Sequence, residues 1–133
     1  QKQFIERTIE KRYVALVAGD VTDDSGVIDL PLRLDFDDKP RQMVCYQHGK
    51  QALTTWQVLE RKNNTTRLHL FPKTGRTHQL RVHCAHKLGL NMPIVGDDHY
   101  GLKADRLHLH AEYLSFNHPI SHQIIEFEVP APF

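Results

Sequence analysis

Long apolar runs and clustered cysteines are what this sequence most clearly lacks. No stretch approaches the ~20 consecutive apolar residues that cross a bilayer, and residues 1–7 are mixed and polar, unlike a signal peptide. The two cysteines, Cys45 and Cys84, do not form closely spaced pairs. These absences argue against a membrane-spanning chain and a disulfide-stapled secreted domain, and they predict a cytoplasmic protein with reduced thiols.

The chain also carries almost no net charge, but its positive and negative residues are unevenly distributed along the sequence. The formal net charge is only +1, yet residues 61–110 hold nine Lys or Arg against three Asp, a local balance of 9 − 3 = +6. A basic middle on a near-neutral chain indicates a localised anion site, with an ordinary solvated surface as the alternative. The chain has the size of one domain and starts at Gln1 rather than Met, so we expect a fragment or a processed product.

Most segments have the composition and alternation of β-strands. Strands are expected over residues 12–19, 27–30, 107–116 and 124–129, and residues 54–72 form a hairpin that turns at Asn63-Asn64. Residues 34–50 contain Asp, Pro and Gly and indicate a loop. The predicted fold class is therefore α+β, a mostly antiparallel or mixed sheet with one main helix.

That helix is predicted at about residues 77–88. Thr77 can cap its N-terminus, Leu80, Cys84 and Leu88 form an apolar stripe at i, i+4, i+8, and Gly89 suits the position after its end.

The segment around the helix start carries the clearest chemical signal. Arg76 and His78 lie at a strand-to-helix junction, where backbone N–H groups already favour anions and these side chains would add donors to phosphate. Arg81 stands so close to the apolar stripe that it needs a partner if it is buried. An ordinary surface helix with solvated arginines is the competing interpretation.

Three further signals are weaker. Tyr13 follows Lys11-Arg12 at the start of a strand and is either half-buried packing or a flat face for stacking a base. Two glycines frame a turn with Asp97 and Tyr100. Histidines suggest a metal-dependent hydrolase, but His83 and His86 are three residues apart rather than four, and no helical His-Glu-x-x-His pattern occurs.

Four motifs in order resemble the RluA-type pseudouridine synthases. They are Lys-Arg-Tyr-Val-Ala-Leu-Val-Ala-Gly at 11–19, Gly-Arg-Thr-His-Gln-Leu-Arg-Val-His at 75–83, Pro-Ile-Val-Gly-Asp-x-x-Tyr-Gly at 93–101 and Arg-Leu-x-Leu-His-Ala at 106–111. The resemblance covers nearly all of residues 11–131. It implies the C-terminal part of a catalytic domain that isomerises uridines in ribosomal or transfer RNA without a cofactor or metal.

The resemblance also implies roles for individual residues. Tyr13 matches the tyrosine that packs against the target base and assists proton removal, and Arg81 matches the arginine that pairs with a catalytic aspartate. Leu32 matches a packing position near the active site. The expected RNA-binding residues are Arg76, His78, Arg106, Tyr100 and Lys73.

One family feature has no counterpart here. The catalytic aspartate lies in a His-Arg-Leu-Asp motif that precedes the Tyr13 strand, and Asp23, Asp29, Asp97 and Asp98 do not stand in that context. We therefore expect residues 1–133 to be one partial catalytic domain that is inactive alone and prone to self-association. The alternatives are a non-catalytic RNA-binding module on the same scaffold and the histidine-based metal-dependent hydrolase.

Overall fold

The computed structural model describes residues 9–133 of the chain, which form a six-stranded antiparallel sheet, a small hairpin and one short helix. The strands are β1 (Glu10–Ala18), β2 (Ser25–Asp29), β3 (Leu32–Leu34), β4 (Gln42–Val44), β5 (Leu53–Lys62), β6 (Thr65–Pro72), β7 (Leu109–Asn117) and β8 (Ile124–Glu128), and the helix is α1 (Gln79–Ala85). The large sheet runs β2-β5-β6-β1-β7-β8, and β3 pairs with β4. The α+β class is thus confirmed.

The core lies on the face of the sheet that α1 covers. Ala15 and Val17 of β1 point to this face because strand residues two apart share a side. Their partners Leu68 and Thr66 on β6 are equally buried, at 0% exposure. Leu80 and Cys84 of the helix pack against this layer. Burial of this apolar face is what fixes the strand register, because a slip by one residue would expose it.

The predicted hairpin is present as β5 and β6. Asn63 (φ 53°) and Asn64 (φ 61°) occupy its two-residue turn, both in the left-handed region. Asparagine tolerates that region better than most residues, and two left-handed residues give a turn whose twist matches the strands. The segment predicted as a loop, 34–50, is only partly one, because it contains β4, which pairs with β3.

The helix is shorter than the sequence indicates. It begins at Gln79 rather than Thr77, because His78 adopts a left-handed conformation (φ 54°) and serves as the N-cap residue without a side-chain capping bond. It ends at Ala85, because His86 is extended. The predictions of Thr77 as cap and Gly89 as the residue after the helix are therefore wrong, and Leu88 lies beyond the helix with 59% exposure.

A buried polar network, rather than a side-chain cap, holds the helix in place. The Gln79 amide donates to Leu53 O (2.9 Å) and to the Thr54 hydroxyl (2.9 Å), which lies 2.9 Å from His83 Nδ1. His83 Nε2 lies 3.0 Å from Leu30 O, so Nε2 carries the proton and donates. Burial lowers the pKa of His83, which is consistent with this neutral tautomer.

The two late strands and the packing position at Leu32 are present in the structure. The late strands are β7 and β8, and Leu32 is a buried packing residue (2% exposed) beneath the helix. No helix within residues 9–133 is long and apolar enough to cross a membrane.

Candidate active site

A cleft of about 400 Å³ opens where the helix-covered face of the sheet meets the first turn of α1. Tyr13 of β1 lies in its wall, held in register by pairing with Leu70 on one side and Ala111 on the other. Pro72, Leu80, Leu107 and Leu109 make much of the remaining wall apolar. Arg81 also lines it, so the structure brings together the two residues matched to catalytic roles.

Arg81 is held by a carboxylate from within the chain. Its Nε donates to Asp97 Oδ2 (3.1 Å) and its Nη2 to Asp97 Oδ1 (2.7 Å), while the more exposed Asp98 lies 3.5 Å from Nη2. The Arg81 side chain is 15% exposed and the Asp97 side chain is fully buried. Nη1 makes no hydrogen bond to any residue in the described range 9–133, which leaves one nitrogen of a fixed guanidinium for a second acceptor.

The turn after Asp97 completes this arrangement. The backbone N–H groups of His99 (3.0 Å) and Tyr100 (3.2 Å) donate to Asp97 Oδ1. Burial by itself would raise the pKa of Asp97, but the hydrogen bonds from Arg81, His99 and Tyr100 outweigh it and lower the pKa. The hydrogen bonds that Arg81 donates to Asp97 raise the pKa of Arg81, so both groups stay charged.

Tyr100 braces the guanidinium rather than lining the cleft. The Arg81 guanidinium carbon lies 5.5 Å and that of Arg41 4.7 Å from the centre of its ring. Its hydroxyl accepts the Gln42 N–H (2.9 Å) and lies 2.7 Å from His78 Nδ1. Burial, and then the nearby charge of Arg81, lower the pKa of His78, which favours a neutral imidazole at the cleft wall.

Basic side chains border the cleft at the turn that leads into the helix. Lys11, Lys73 and Arg76 all line the depression around Gly75. A methyl group added at Gly75 would lie 3.7 Å from Lys11 Nζ. Arg76 is anchored through Nε to Gln51 O (2.8 Å). Two predicted RNA-binding residues, Lys73 and Arg76, therefore meet beside the cleft.

Arg106, also predicted to bind RNA, lies elsewhere. Its guanidinium carbon is 5.2 Å from the ring centre of Phe133, which Arg67 approaches to 5.5 Å and the His108 ring to 5.1 Å. Arg67 belongs to the side of β6 opposite Leu68. The structure thus groups Arg106 with residues of the other face of the sheet.

The histidines do not gather into one cluster, although the rings of His78 and His99 lie 5.4 Å apart. Among residues 9–133 no group of three or more His, Cys, Asp or Glu side chains is arranged to hold a metal ion. His83 is occupied in the helix network, and His110 Nε2 lies 2.9 Å from Val129 O.

One residue of the cleft and one pairing at the site were not predicted from the sequence. Lys11 lines the cleft, and its spacing of two from Tyr13 on one strand would have placed it on the same face. Asp97 is the partner that the buried Arg81 required, but the two are 16 residues apart and no local pattern joins them.

Comparisons with known proteins agree with this geometry. The sequence matches the family model for RNA pseudouridylate synthase over residues 1–86. The dual-specificity RNA pseudouridine synthase RluA of Pasteurella multocida (strain Pm70) is 46% identical over 139 residues, covering all of this chain and 62% of that protein. RluA of Escherichia coli (strain K12) is 45% identical, covering all of this chain and 62% of its own length.

A solved structure shares the fold. Human RNA Pseudouridylate Synthase Domain Containing 1 has a TM-score of 0.82 and 32% identity, covering 99% of this chain and 58% of that one. The architecture is thus that of a pseudouridylate synthase domain. The chain belongs to the RNA pseudouridylate synthase family and is of RluA type. It spans about three fifths of the length of these relatives, 62% of the Pasteurella protein.

Proposed function

We propose that the protein acts as an RNA pseudouridine synthase that isomerises chosen uridines of ribosomal or transfer RNA. The observation that carries the proposal is the joint presence of Tyr13 and a fixed, largely buried Arg81 in one cleft with apolar walls. Family membership and the basic border at Lys11, Lys73 and Arg76 support RNA as the substrate.

The chemistry of the reaction matches what the cleft offers. Isomerisation breaks the bond between N1 and the sugar C1′ and forms a bond between C5 and C1′. The C5 proton leaves and N1 gains one, so atoms balance without a cofactor. A carboxylate acts on the nucleoside as nucleophile or base, Arg81 keeps that carboxylate ionised and oriented, and Tyr13 stacks on the flipped base and assists removal of its proton.

The reacting carboxylate is not Asp97. That side chain is fully buried, and its two oxygens already accept bonds from Arg81, His99 and Tyr100. We propose that a family-type His-Arg-Leu-Asp segment outside residues 1–133 supplies the aspartate to Arg81 Nη1. On this basis the 133-residue chain is a partial catalytic domain, inactive by itself.

Release of tritium from RNA labelled at uridine C5 tests both parts. We expect no release by the isolated chain and steady release by the protein extended with that segment. Release by the isolated chain would refute the external carboxylate, whereas no release by the extended protein on ribosomal and transfer RNA would refute the isomerase. In the extended protein, Arg81→Lys should lower the rate at least about a hundredfold, because lysine cannot reproduce the two-point contact.

A non-catalytic RNA-binding module on the same scaffold is the second candidate. It shares the basic border but has no need of a buried, doubly hydrogen-bonded Arg81, so the geometry favours the enzyme. RNA binding without tritium release by the extended protein would identify the module instead.

We further propose a cytoplasmic location and a tendency to self-associate. The location is supported by the two free cysteines, Cys45 and the buried Cys84. Self-association is supported by β8, an edge strand of the sheet that exposes Ile124 (69%) and Phe127 (55%).

A further inference from the structure

A second depression, larger than the cleft, lies beside it. This groove, of about 880 Å³, runs between the β3–β4 hairpin and the turn at residues 75–77. Gly75 and Arg76 line both the groove and the cleft, so the two form one continuous surface. The sequence did not predict this groove. One of its walls is the turn at residues 75–77, but the other comes from residues 32–50, which belong neither to the matched motifs nor to the basic middle of the sequence.

The groove combines cations with an exposed aromatic ring. Arg33, Lys50 and Arg76 line it together with Phe36, whose side chain is 63% exposed. The Arg33 guanidinium carbon lies 4.7 Å and Lys39 Nζ 5.8 Å from the centre of the Phe36 ring. Among residues 9–133, no carboxylate lines the groove.

The acidic residues closest in sequence to Phe36 lie in the loop beside the groove and are not among its lining residues. Asp35, Asp37 and Asp38 lie in the loop between β3 and β4. Asp35 accepts the backbone N–H of Asp37 through Oδ1 (3.1 Å), and its own N–H donates to Arg41 O (2.8 Å). The loop is thus folded on itself, which holds Phe36 outward at the groove.

We propose that this groove binds single-stranded RNA nucleotides adjacent to the target uridine, with a base stacked on Phe36 and phosphates on Arg33 and Lys50. The inference rests on the proposed function. Binding of single-stranded nucleic acid uses a basic channel along the backbone and aromatic faces that bases stack on, and the groove supplies both. Its continuity with the cleft places the bound strand in line with the nucleotide that enters the cleft.

Stacking is tested with a series of single-stranded oligouridylates of increasing length, bound to the extended protein and followed by fluorescence anisotropy. Phe36→Ala should weaken binding of the longer oligomers roughly tenfold and leave the shortest ones unchanged. Tyr46→Ala is the matched control, because Tyr46 is an equally exposed aromatic (70%) near the β3–β4 hairpin that does not line the groove. The Tyr46 variant should bind as the parent does.

Phosphate contact is tested through the salt dependence of the same binding. Lys50→Gln should reduce the slope of log affinity against log salt by about 0.7, the value for one phosphate contact on a single strand. Lys62→Gln should not, because Lys62 lies next to the hairpin turn, about 25 Å along the strands from the cleft end. Phe36→Ala should leave the slope unaltered.

The outcomes separate this inference from the proposed function. If oligouridylates bind but the Phe36 and Lys50 variants match their controls, the groove is not an RNA site and the proposed function stands. If oligouridylates, transfer RNA and ribosomal RNA all fail to bind the extended protein, the proposed function fails and this inference with it. Because Phe36 is mostly exposed, loss of folding does not confound the result, and thermal unfolding of each variant verifies this.

Discussion

At the scale of single residues, the position of Arg81 depends on Asp97. We expect Asp97→Asn to lower the free energy of unfolding by about 3 kcal/mol, because it leaves a largely buried guanidinium without its counter-charge. Urea denaturation measures this. Asp98→Asn is the control: that side chain is 61% exposed and 3.5 Å from Arg81, so a change within about 0.5 kcal/mol is expected. Equal effects in the two variants would contradict the assigned partner.

The same pair predicts a pH dependence at the acid end. The pKa of Asp97 is lowered in the folded protein, so the unfolded chain binds its proton first as the pH falls. The stabilisation is complete above the ordinary aspartate pKa of about 4 and is lost as the pH drops through the lower folded value. The stabilities of the parent and the Asn variant should therefore converge in that range, and a constant difference would contradict this account.

His83 gives a second pH dependence, nearer neutrality. Burial lowers its pKa, so the unfolded chain takes up a proton below about pH 6.5 while the folded protein resists it. Stability should fall as the pH drops below that value, and His83→Gln should show a shallower fall. His48 supplies the control variant His48→Gln, because its side chain is exposed and stands outside the Thr54–Gln79 network. An unchanged slope in the His83 variant would refute the assignment.

The need for a partner of Arg81 could be predicted from the sequence, but the identity of that partner could not. The requirement that Arg81 have a partner follows from its place beside Leu80 and Cys84. The partner does not follow, because Asp97 approaches through tertiary folding. Arg106 shows a second limit. Its motif resembles that of the family and predicts RNA binding, but its side chain packs on Phe133, away from the cleft.

At the scale of elements, the β5–β6 turn is a direct consequence of two asparagines. Replacing the second, Asn64→Gly, should raise the free energy of unfolding by about 0.5 kcal/mol, because glycine adopts the left-handed region without steric cost. Asn64→Val should lower it by about 1–2 kcal/mol. Thermal unfolding measures both, and a valine variant as stable as the parent would show that the turn adopts another conformation.

Strands and helix differed in how much of them could be predicted. The hairpin and the strands follow from alternation and turn chemistry, which act locally. The helix limits do not, because the Gln79 side chain takes the place of a cap by accepting from the Thr74 hydroxyl (2.7 Å) and the Arg76 N–H (3.1 Å). A glutamine inside the first turn carries no capping signature, so the sequence pattern favoured Thr77.

At the scale of the whole molecule, the exposed edge of the sheet predicts association. Sedimentation velocity should show concentration-dependent self-association, and Ile124→Lys on β8 should weaken it at least about tenfold, since a charge on an edge strand opposes pairing. Ile120→Lys is the control, because Ile120 is more exposed (83%) but lies in the turn before the strand. A parent chain that stays monomeric at every concentration would refute the proposal.

Surfaces formed by segments distant in sequence were the hardest features to predict. The α+β class could be stated in advance, and so could the roles that the family resemblance implies for Tyr13 and Arg81. The groove could not, because it is formed by two segments about 40 residues apart, the Phe36 loop and the 75–77 turn. Only the folded sheet brings them to one side.

The central place of β1 has a consequence for how the chain is made. This strand pairs with β6 and with β7, and Arg12 donates to Glu112 (2.8 Å), a partner 100 residues later. During synthesis β1 must therefore wait until β7 has left the ribosome before both its edges are satisfied. Contacts so distant in sequence slow folding, and until they form, the apolar residues at 14–17 of a newly made β1 stay exposed to wrong partners.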